Sequence, residues 1–426
     1  MFNFKDKVIL KGDKTIWYLV IALMIVSILV VYSSTGRLAF RQRGGNTSYY
    51  LMKQTVVMLG CIITMLFLQS VHYKHFLTWS KLALVLAYGA MIWSIMSGSN
   101  LGGGGDRWVR VPVIGFSFQP SEVVKLAVIM YSARMIAFAQ TEKNCSDDAL
   151  YKIMWRAGPL ILAVFMQNFS TSVLLAVVCF IMLFIGRLRL KLILSMMGVA
   201  VGTFLLLITL LFTFPSALEI GRLGTIKHRM EAFIGHDPIH KKAVEVDQEG
   251  YSYQSEQAKI AVAKGGLLPN GPGTSEQRNV LPEPYSDFIF AIIVEEYGLF
   301  GGFIILALYL ILLFRIGVIV HQCTRVFPAV LVVGLGISIS LQAFVNMAVC
   351  VGLTPVTGQP LPLVSMGGTS LVFTSIALGM ILSISNTFTE ERLAEAAAVA
   401  EAKAEAEKIL PTDSDTENEN KEESNY

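Results

Sequence analysis

Asp287 closes the segment Leu281-Pro282-Glu283-Pro284-Tyr285-Ser286-Asp287 and stands where a long polar stretch gives way to an apolar one. Two prolines restrict the backbone just ahead of it, which fixes the carboxylate relative to whatever follows. A carboxylate held in this way can take a proton from a reacting hydroxyl. It can also cap a helix, since Ser286 or Asp287 would satisfy free amides at a helix start. Judged from the local residues alone, the cap is the stronger reading. Glu122 and Lys125 are three residues apart, hence neighbours on one helix face. An ion pair holding two helices together and a contact to a charged substrate both suit them. Glu295 and Glu296 are adjacent in an apolar run. On a helix they point about 100° apart, so at most one faces a given cavity, and hydrogen bonding to a neighbouring helix suits either.

Other polar features narrow the chemistry. The run Gly102–Gly105 precedes Asp106-Arg107-Trp108-Val109-Arg110. Glycines beside arginines can cradle a phosphate, but the spacing of a nucleotide-binding loop is missing, and Arg107 and Arg110 would equally meet lipid headgroups. Pro355, Gly358, Pro360, Pro362 and Gly367-Gly368 are dense enough to break a helix. Irregular backbone at membrane depth is tolerated where it is buried or lines a cavity. Cys61, Cys145, Cys179, Cys323 and Cys350 are scattered without metal-ligand or redox spacing and read as small buried hydrophobes. The sequence shows no metal-ligand cluster, nucleophilic serine elbow or zinc-protease motif.

The elements that must position these residues are membrane helices. Of 426 residues, 54% are hydrophobic and 15% charged, against about a quarter charged in soluble domains. The apolar residues fall in blocks of the length that crosses a bilayer, at 15–34, 51–69, 76–97, 119–139, 190–213, 288–313, 327–350 and 366–386. The first follows Lys5, Lys7, Lys11 and Lys14, is too long for a signal peptide's core, lacks a clear cleavage site, and reads as an uncleaved span. The stretch 157–185 is too long for one upright helix. Crossing twice, with a break at Gln167-Asn168-Phe169-Ser170-Thr171, puts Arg187, Arg189, Lys191, Arg315, His321 and Arg325 on the cytoplasmic side with both termini, as the positive-inside rule favours. Arg37, Arg41 and Arg43 are the exception and fall outside.

The expected fold is therefore an all-α polytopic membrane protein of ten spans, with a long outer loop between the seventh and eighth. Its divisions are 1–14 (cytoplasmic), 15–213 (spans one to seven), 214–286 (the outer loop, expected to hold the site), 287–388 (spans eight to ten) and 389–426 (a cytoplasmic helix and a disordered acidic tail). Within the loop, Tyr251–Lys264 reads as a short amphipathic helix ended by Gly265-Gly266. Leu393–Ile409, rich in Ala, Glu and Lys, reads as a solvated helix stopped by Pro411. The net charge of +3 is spread between spans, so no nucleic-acid partner is expected. The residues by themselves lead to an outward-facing enzyme or transporter for an anionic amphiphile.

Three groups of residues in this order resemble the SEDS (shape, elongation, division and sporulation) family over roughly 15–390. They are Arg107-Trp108 with Phe118-Gln119-Pro120-Ser121-Glu122 and Lys125; Tyr253-Gln254 through Gly265-Gly266 to Leu281-Pro282-Glu283, Ser286-Asp287-Phe288-Ile289-Phe290-Ala291 and Glu295-Glu296; and Asn346-Met347 through Gly352-Leu353-Thr354-Pro355, Gly358, Leu361-Pro362, Ser365 and Gly367-Gly368. The resemblance implies ten membrane helices and a peptidoglycan glycosyltransferase that polymerises lipid II, an undecaprenyl-diphosphate-linked disaccharide peptide. It also implies that Asp287 is the catalytic residue, which reverses the local preference for a cap. Substrate contacts are expected at Arg107, Trp108, Gln119, Glu122, Lys125, Arg229, Arg278, Glu283, Glu296 and Ser365, with Arg107, Lys125, Arg229 and Arg278 as the cations facing pyrophosphate. No cofactor is called for; a divalent cation (Mg or Mn) would be an aid without a visible ligand set. A class B penicillin-binding protein transpeptidase and other division-machinery proteins are the expected partners.

The chain departs from the family in places. Gln167-Asn168-Phe169-Ser170-Thr171 stands where members often carry Pro-Asp-x-Gly-Thr, Leu268-Pro269-Asn270-Gly271-Pro272 replaces some loop glycines, and His236–Gly250 is a polar insertion. Gln359 and Met366 look like division-type rather than elongation-type forms. A lipid II flippase and a non-catalytic division scaffold are the competing functions. A flippase would want its charges through the midplane, at Glu296 and Lys125, whereas a polymerase wants its carboxylate outside, at Asp287.

Overall fold

The computed structural model describes residues 10–97, 109–110, 117–141, 145–213, 229 and 251–409. The expected features at Gly102–Gly105, Arg107, Trp108, His236–Gly250, Pro411 and 412–426 lie outside those residues.

The chain begins with α1 (Lys14–Ser34), whose N-cap Asp13 accepts the amides of Thr15 at 2.8 Å and Ile16 at 3.2 Å and also pairs with Arg315. There follow α2 (Gly36–Arg43), α3 (Thr47–Leu68) and α4 (Tyr73–Ser97), then a two-residue antiparallel pair, Val109–Arg110 with Ser117–Phe118. Next come α5 (Pro120–Phe138), α6 (Asp148–Gln167), α7 (Phe169–Ile185) and α8 (Leu190–Thr213). The loop helix α9 (Tyr251–Gly265) precedes α10 (Ile289–Gln322), α11 (Val326–Cys350) and α12 (Gly368–Ile409).

Helices occupy each position where a span was expected, and eight of them are long and apolar enough to cross a membrane. The two that fall short are α5, which carries Glu122, Lys125 and Arg134, and α7, with 17 residues. The break expected between Gln167 and Thr171 falls at Asn168, which has φ −146° and ψ 88° and accepts the Thr171 amide at 3.3 Å. α6 starts at Asp148, earlier than the expected 157, because its first turns are polar on one side and still helical. The last span and the expected solvated helix form one element, α12, since nothing between Gly368 and Ile409 breaks a helix.

α11 and the apolar first half of α12 are mostly buried, while α8 buries almost nothing within the chain. Ile63, Phe67, Ile95, Phe303 and Phe314 are exposed on the outside of the bundle. A rim of that kind facing water would be costly, whereas lipid tails suit it. The chain is an integral membrane protein.

The expected eighth span is not continuous. Gly298 sits inside α10 with φ 68° and ψ −179°, a conformation open essentially to glycine alone, and the helix is interrupted there. The loop after α9 fills the break. Leu299 donates to the Gly266 carbonyl at 2.9 Å, and the amides of Asn270 and Gly271 donate to the Glu296 carbonyl at 3.0 and 2.9 Å. A Cβ at Gly298 would lie 2.7 Å from the Leu268 backbone. The loop thus completes the hydrogen bonding of a span.

Candidate active site

The segment ending at Asp287 is held from one side by the broken backbone between α11 and α12. The Tyr285 carbonyl accepts the Met366 amide at 2.9 Å, and the Ser286 carbonyl accepts the Ser365 hydroxyl at 2.6 Å. The Asp287 carbonyl accepts from Asn346 Nδ2 at 2.7 Å, and the same amide group donates to the Gln359 carbonyl at 2.8 Å. Asn346 is buried, so one side chain on α11 ties the candidate residue to the broken segment across a dry contact. The Asp287 side chain is half-buried and accepts the Ser286 hydroxyl at 3.1 Å. The N-cap of α10 is Phe288, with no side-chain cap bond.

The broken segment is itself saturated with partners. Gln342 Nε2 donates to the Pro360 carbonyl at 2.9 Å, Ser27 to the Val364 carbonyl at 2.7 Å, and Tyr309 to the Pro362 carbonyl. Gln359 Nε2 donates to Thr171 Oγ1 at 2.8 Å, which reaches the break between α6 and α7. Leu363 takes φ 63°, a strained value for a branched residue, and is held there by these bonds. Of the prolines and glycines read in the sequence as helix breakers, Pro362 is buried, Pro355, Gly358, Pro360 and Gly367 are half-buried and Gly368 is exposed. The carbonyls of the broken backbone find donors within the protein, as irregular backbone at membrane depth requires.

The remaining expected contacts divide. Glu122 and Lys125 form an ion pair at 2.7 Å, and Lys125 also donates to Gln342 Oε1 at 2.9 Å. The pair joins α5 to α11, and through Gln342 it supports the Pro360 carbonyl. The structure favours the helix-joining role over direct contact with substrate. Ser365 is buried and clamps backbone, accepting the Leu361 amide at 2.7 Å while donating to the Ser286 carbonyl. Glu296 is fully buried and accepts from Ser33 of α1. Glu295 accepts the Ser275 hydroxyl and the amides of Glu276 at 3.1 Å and Gln277 at 3.3 Å. Both glutamates are buried. They end a two-turn helix before Gly298 and hold the loop, because a buried carboxylate needs donors wherever it finds them. Gln119 is half-buried ahead of α5, its carbonyl accepting the Glu122 amide at 3.1 Å, and Glu283 is exposed. Arg229 donates to the Thr357 carbonyl at 3.4 Å, so the outer loop reaches the broken segment there.

On its other side the 278–285 stretch lines an open cavity of about 380 Å³. Arg278 stands in its wall, donating to the carbonyl and hydroxyl of Ser33 at 3.1 and 3.2 Å. Burial pushes the Tyr285 phenol up to about 12, with Glu283 adding to the effect, so it stays a neutral donor at pH 7. Arg37 also lines this cavity and donates to the carbonyls of Asn279 at 2.6 Å and Val280 at 3.3 Å. No motif marked Arg37. The available signal was its placement against the positive-inside rule, which loses its force for a cation engaged by protein. Among the described residues no three His, Cys, Asp or Glu side chains gather as metal ligands.

A family model for cell cycle proteins named for FtsW, RodA and SpoVE matches residues 13–390. The chain belongs to that family. It is 30% identical over 386 residues to the peptidoglycan glycosyltransferase MrdB of Escherichia coli, covering 90% of this chain and 95% of that protein. It is 30% identical over 379 residues to a protein of Trichlorobacter lovleyi named a probable peptidoglycan glycosyltransferase FtsW, covering 88% and 93%. The fold of this family member also matches a chain of a solved peptidoglycan synthase complex, described as coordinating polymerization and crosslinking. That match has a TM-score of 0.65, 20% identity, and coverage of 88% of this chain and 98% of the other.

Proposed function

We propose that this chain polymerises lipid II into glycan strands on the outer face of the cytoplasmic membrane, with Asp287 as general base. It is a peptidoglycan glycosyltransferase of its family. Polymerisation requires the acceptor's hydroxyl to lose a proton as its oxygen attacks the donor's anomeric carbon, while lipid pyrophosphate leaves. A half-buried carboxylate at the end of a stretch that lines a polar cavity suits the proton transfer. Developing charge on the leaving group calls for cations, and Arg229 and Arg278 are the described candidates with Arg107 beyond them. Lys125, engaged by Glu122 and Gln342, acts through the backbone of the broken segment instead.

The observation that carries this reading is the pair of hydrogen bonds from Asn346 Nδ2 to the carbonyls of Asp287 and Gln359, which fixes the backbone of Asp287 while its side chain remains half-exposed. Prepositioning of a base is what a transfer reaction needs, and a cap would not require it. The flippase alternative is weaker for a structural reason. Glu296 and Lys125, the charges it would place along a path, are tied up in contacts between helices.

Within this activity we assign the chain to septal wall synthesis in cell division, on Gln359 and Met366. The proposed arrangement has ten spans, both termini in the cytoplasm, and a class B penicillin-binding protein supplying transpeptidation among other division proteins. The test uses the purified chain with that partner and fluorescent lipid II. Wild type should form polymer, and Asp287→Ala and Asp287→Asn should not. Normal yield from either variant overturns the assignment of Asp287. A chelator arm reports whether a divalent cation contributes.

A further inference from the structure

The cavity lined by the 278–285 stretch that leads to Asp287 holds a cation that the proposed reaction leaves unassigned. Its walls include Ser34 and Arg37 from the end of α1 and the start of α2, Tyr253 from α9, and Arg278, Pro284 and Tyr285 from the loop. None of the residues lining it is acidic. Arg278 is partly compensated, because the Ser33 hydroxyl that it reaches donates onward to Glu296. Arg37 is exposed, and both of its hydrogen bonds come from a single nitrogen, Nη1, to backbone carbonyls. Those bonds aim the guanidinium without neutralising it. They leave its other donors for a second partner, and among the described residues no ion pair includes Arg37. The Tyr285 phenol adds a neutral donor, and Pro282 and Pro284 stiffen the rim.

An open pocket that is rich in donors, lacks a carboxylate and has one aimed, uncompensated guanidinium matches an oxyanion. We propose that Arg37 and this cavity form an anion-recognition subsite that grips an oxyanion of the lipid-linked substrate next to the reacting centre. The proposal rests on the polymerase reading for the identity of that substrate. Two oxyanions on such a molecule have the required chemistry, the pyrophosphate and the free carboxylates of the peptide. Both would gain a planar, two-pronged contact from arginine that lysine cannot copy.

The test is binding, which does not depend on turnover. The dissociation constant of lipid II for the full chain is measured in detergent for wild type, Arg37→Gln, Arg37→Lys and Leu38→Glu. The last variant adds a negative charge to the wall and leaves Arg37's backbone contacts in place. Thermal unfolding in each sample controls for folding. A charge-assisted contact of ordinary strength predicts that Arg37→Gln weakens binding by roughly tenfold or more, with Leu38→Glu in the same direction and Arg37→Lys only partly restoring affinity. A parallel series uses lipid II with amidated peptide carboxylates. Loss confined to the free-carboxylate substrate assigns the subsite to the peptide, and equal loss for both assigns it to pyrophosphate. Unchanged affinity in Arg37→Gln and Leu38→Glu for both substrates overturns the proposal. Failure of wild type to polymerise, with Arg37-dependent binding intact, would instead count against the polymerase reading.

Discussion

The two sides of the segment that ends at Asp287 are built on opposite principles. Towards α11 and the broken backbone, the carbonyls of Tyr285, Ser286 and Asp287 each have a donor, and two of the donors, Ser365 and Asn346, make a further bond. Towards α1 and α2, the wall is an open cavity in which two arginines touch backbone but no carboxylate lines the space. One side determines where the candidate base sits, and the other leaves room for what it acts upon. The pairing of a saturated face with an open one explains how a loop can be precise. Its stiffness comes from the partner it packs on rather than from its own sequence.

The comparison breaks most readily at its far end, where Glu122, Lys125 and Gln342 support Pro360. Glu122→Leu leaves a buried ammonium without its carboxylate and should cost about 3–5 kcal/mol in thermal or denaturant unfolding. The Glu122→Leu/Lys125→Leu double variant should recover most of that loss. If the single and double variants are equally unstable, the pair is not the brace inferred here. Gly298→Ala should cost about 3 kcal/mol from strain alone, since the added methyl also meets Leu268 backbone. The same unfolding measurement checks it.

Asn346→Ala removes two donors at once and should lower stability by about 1–3 kcal/mol. Its sharper signature is kinetic. If Asn346 positions Asp287, kcat falls while KM changes little, and Asn346→Asp restores at most part of the rate. A rise in KM with kcat intact would move Asn346 out of the positioning role.

The open side should show itself in alkali. The folded state favours the neutral Tyr285 phenol, so its contribution is complete below the ordinary value of 10 and is lost as pH climbs towards about 12. Tyr285→Phe should flatten that part of the stability profile relative to wild type. The smallest effect belongs to Lys264 and Glu276, an exposed pair at 2.5 Å in which the lysine holds the glutamate's carboxyl below its usual range. Lys264→Met should leave the unfolding temperature unchanged, because an exposed pair gains little over water.

Much of this was legible in the residues. Blocks of apolar residues near twenty long place helices whatever their partners, because backbone polar groups in lipid must be satisfied within the segment. The break near Asn168, the helix from Tyr251, and the broken backbone from Pro355 to Gly367 follow from the same local rules. Asp287 stood out from its prolines and position, and the ordered groups of motifs led to the family.

Local rules could not reveal partners far apart in sequence. The residues allowed Glu296 a hydrogen bond to a neighbouring helix but could not name its partner, Ser33, 263 positions away. Nor could they name the partner of Ser365, whose hydroxyl closes on Ser286 across 79 positions. The interruption at Gly298 was hidden because an apolar run looks like one span until a loop supplies the missing hydrogen bonds. Composition and spacing determined the class of protein, the number of helical blocks and the residue to suspect. Only the tertiary structure decided which charges brace helices and which, like Arg37, are aimed into open space, because a charge takes its role from the groups that surround it.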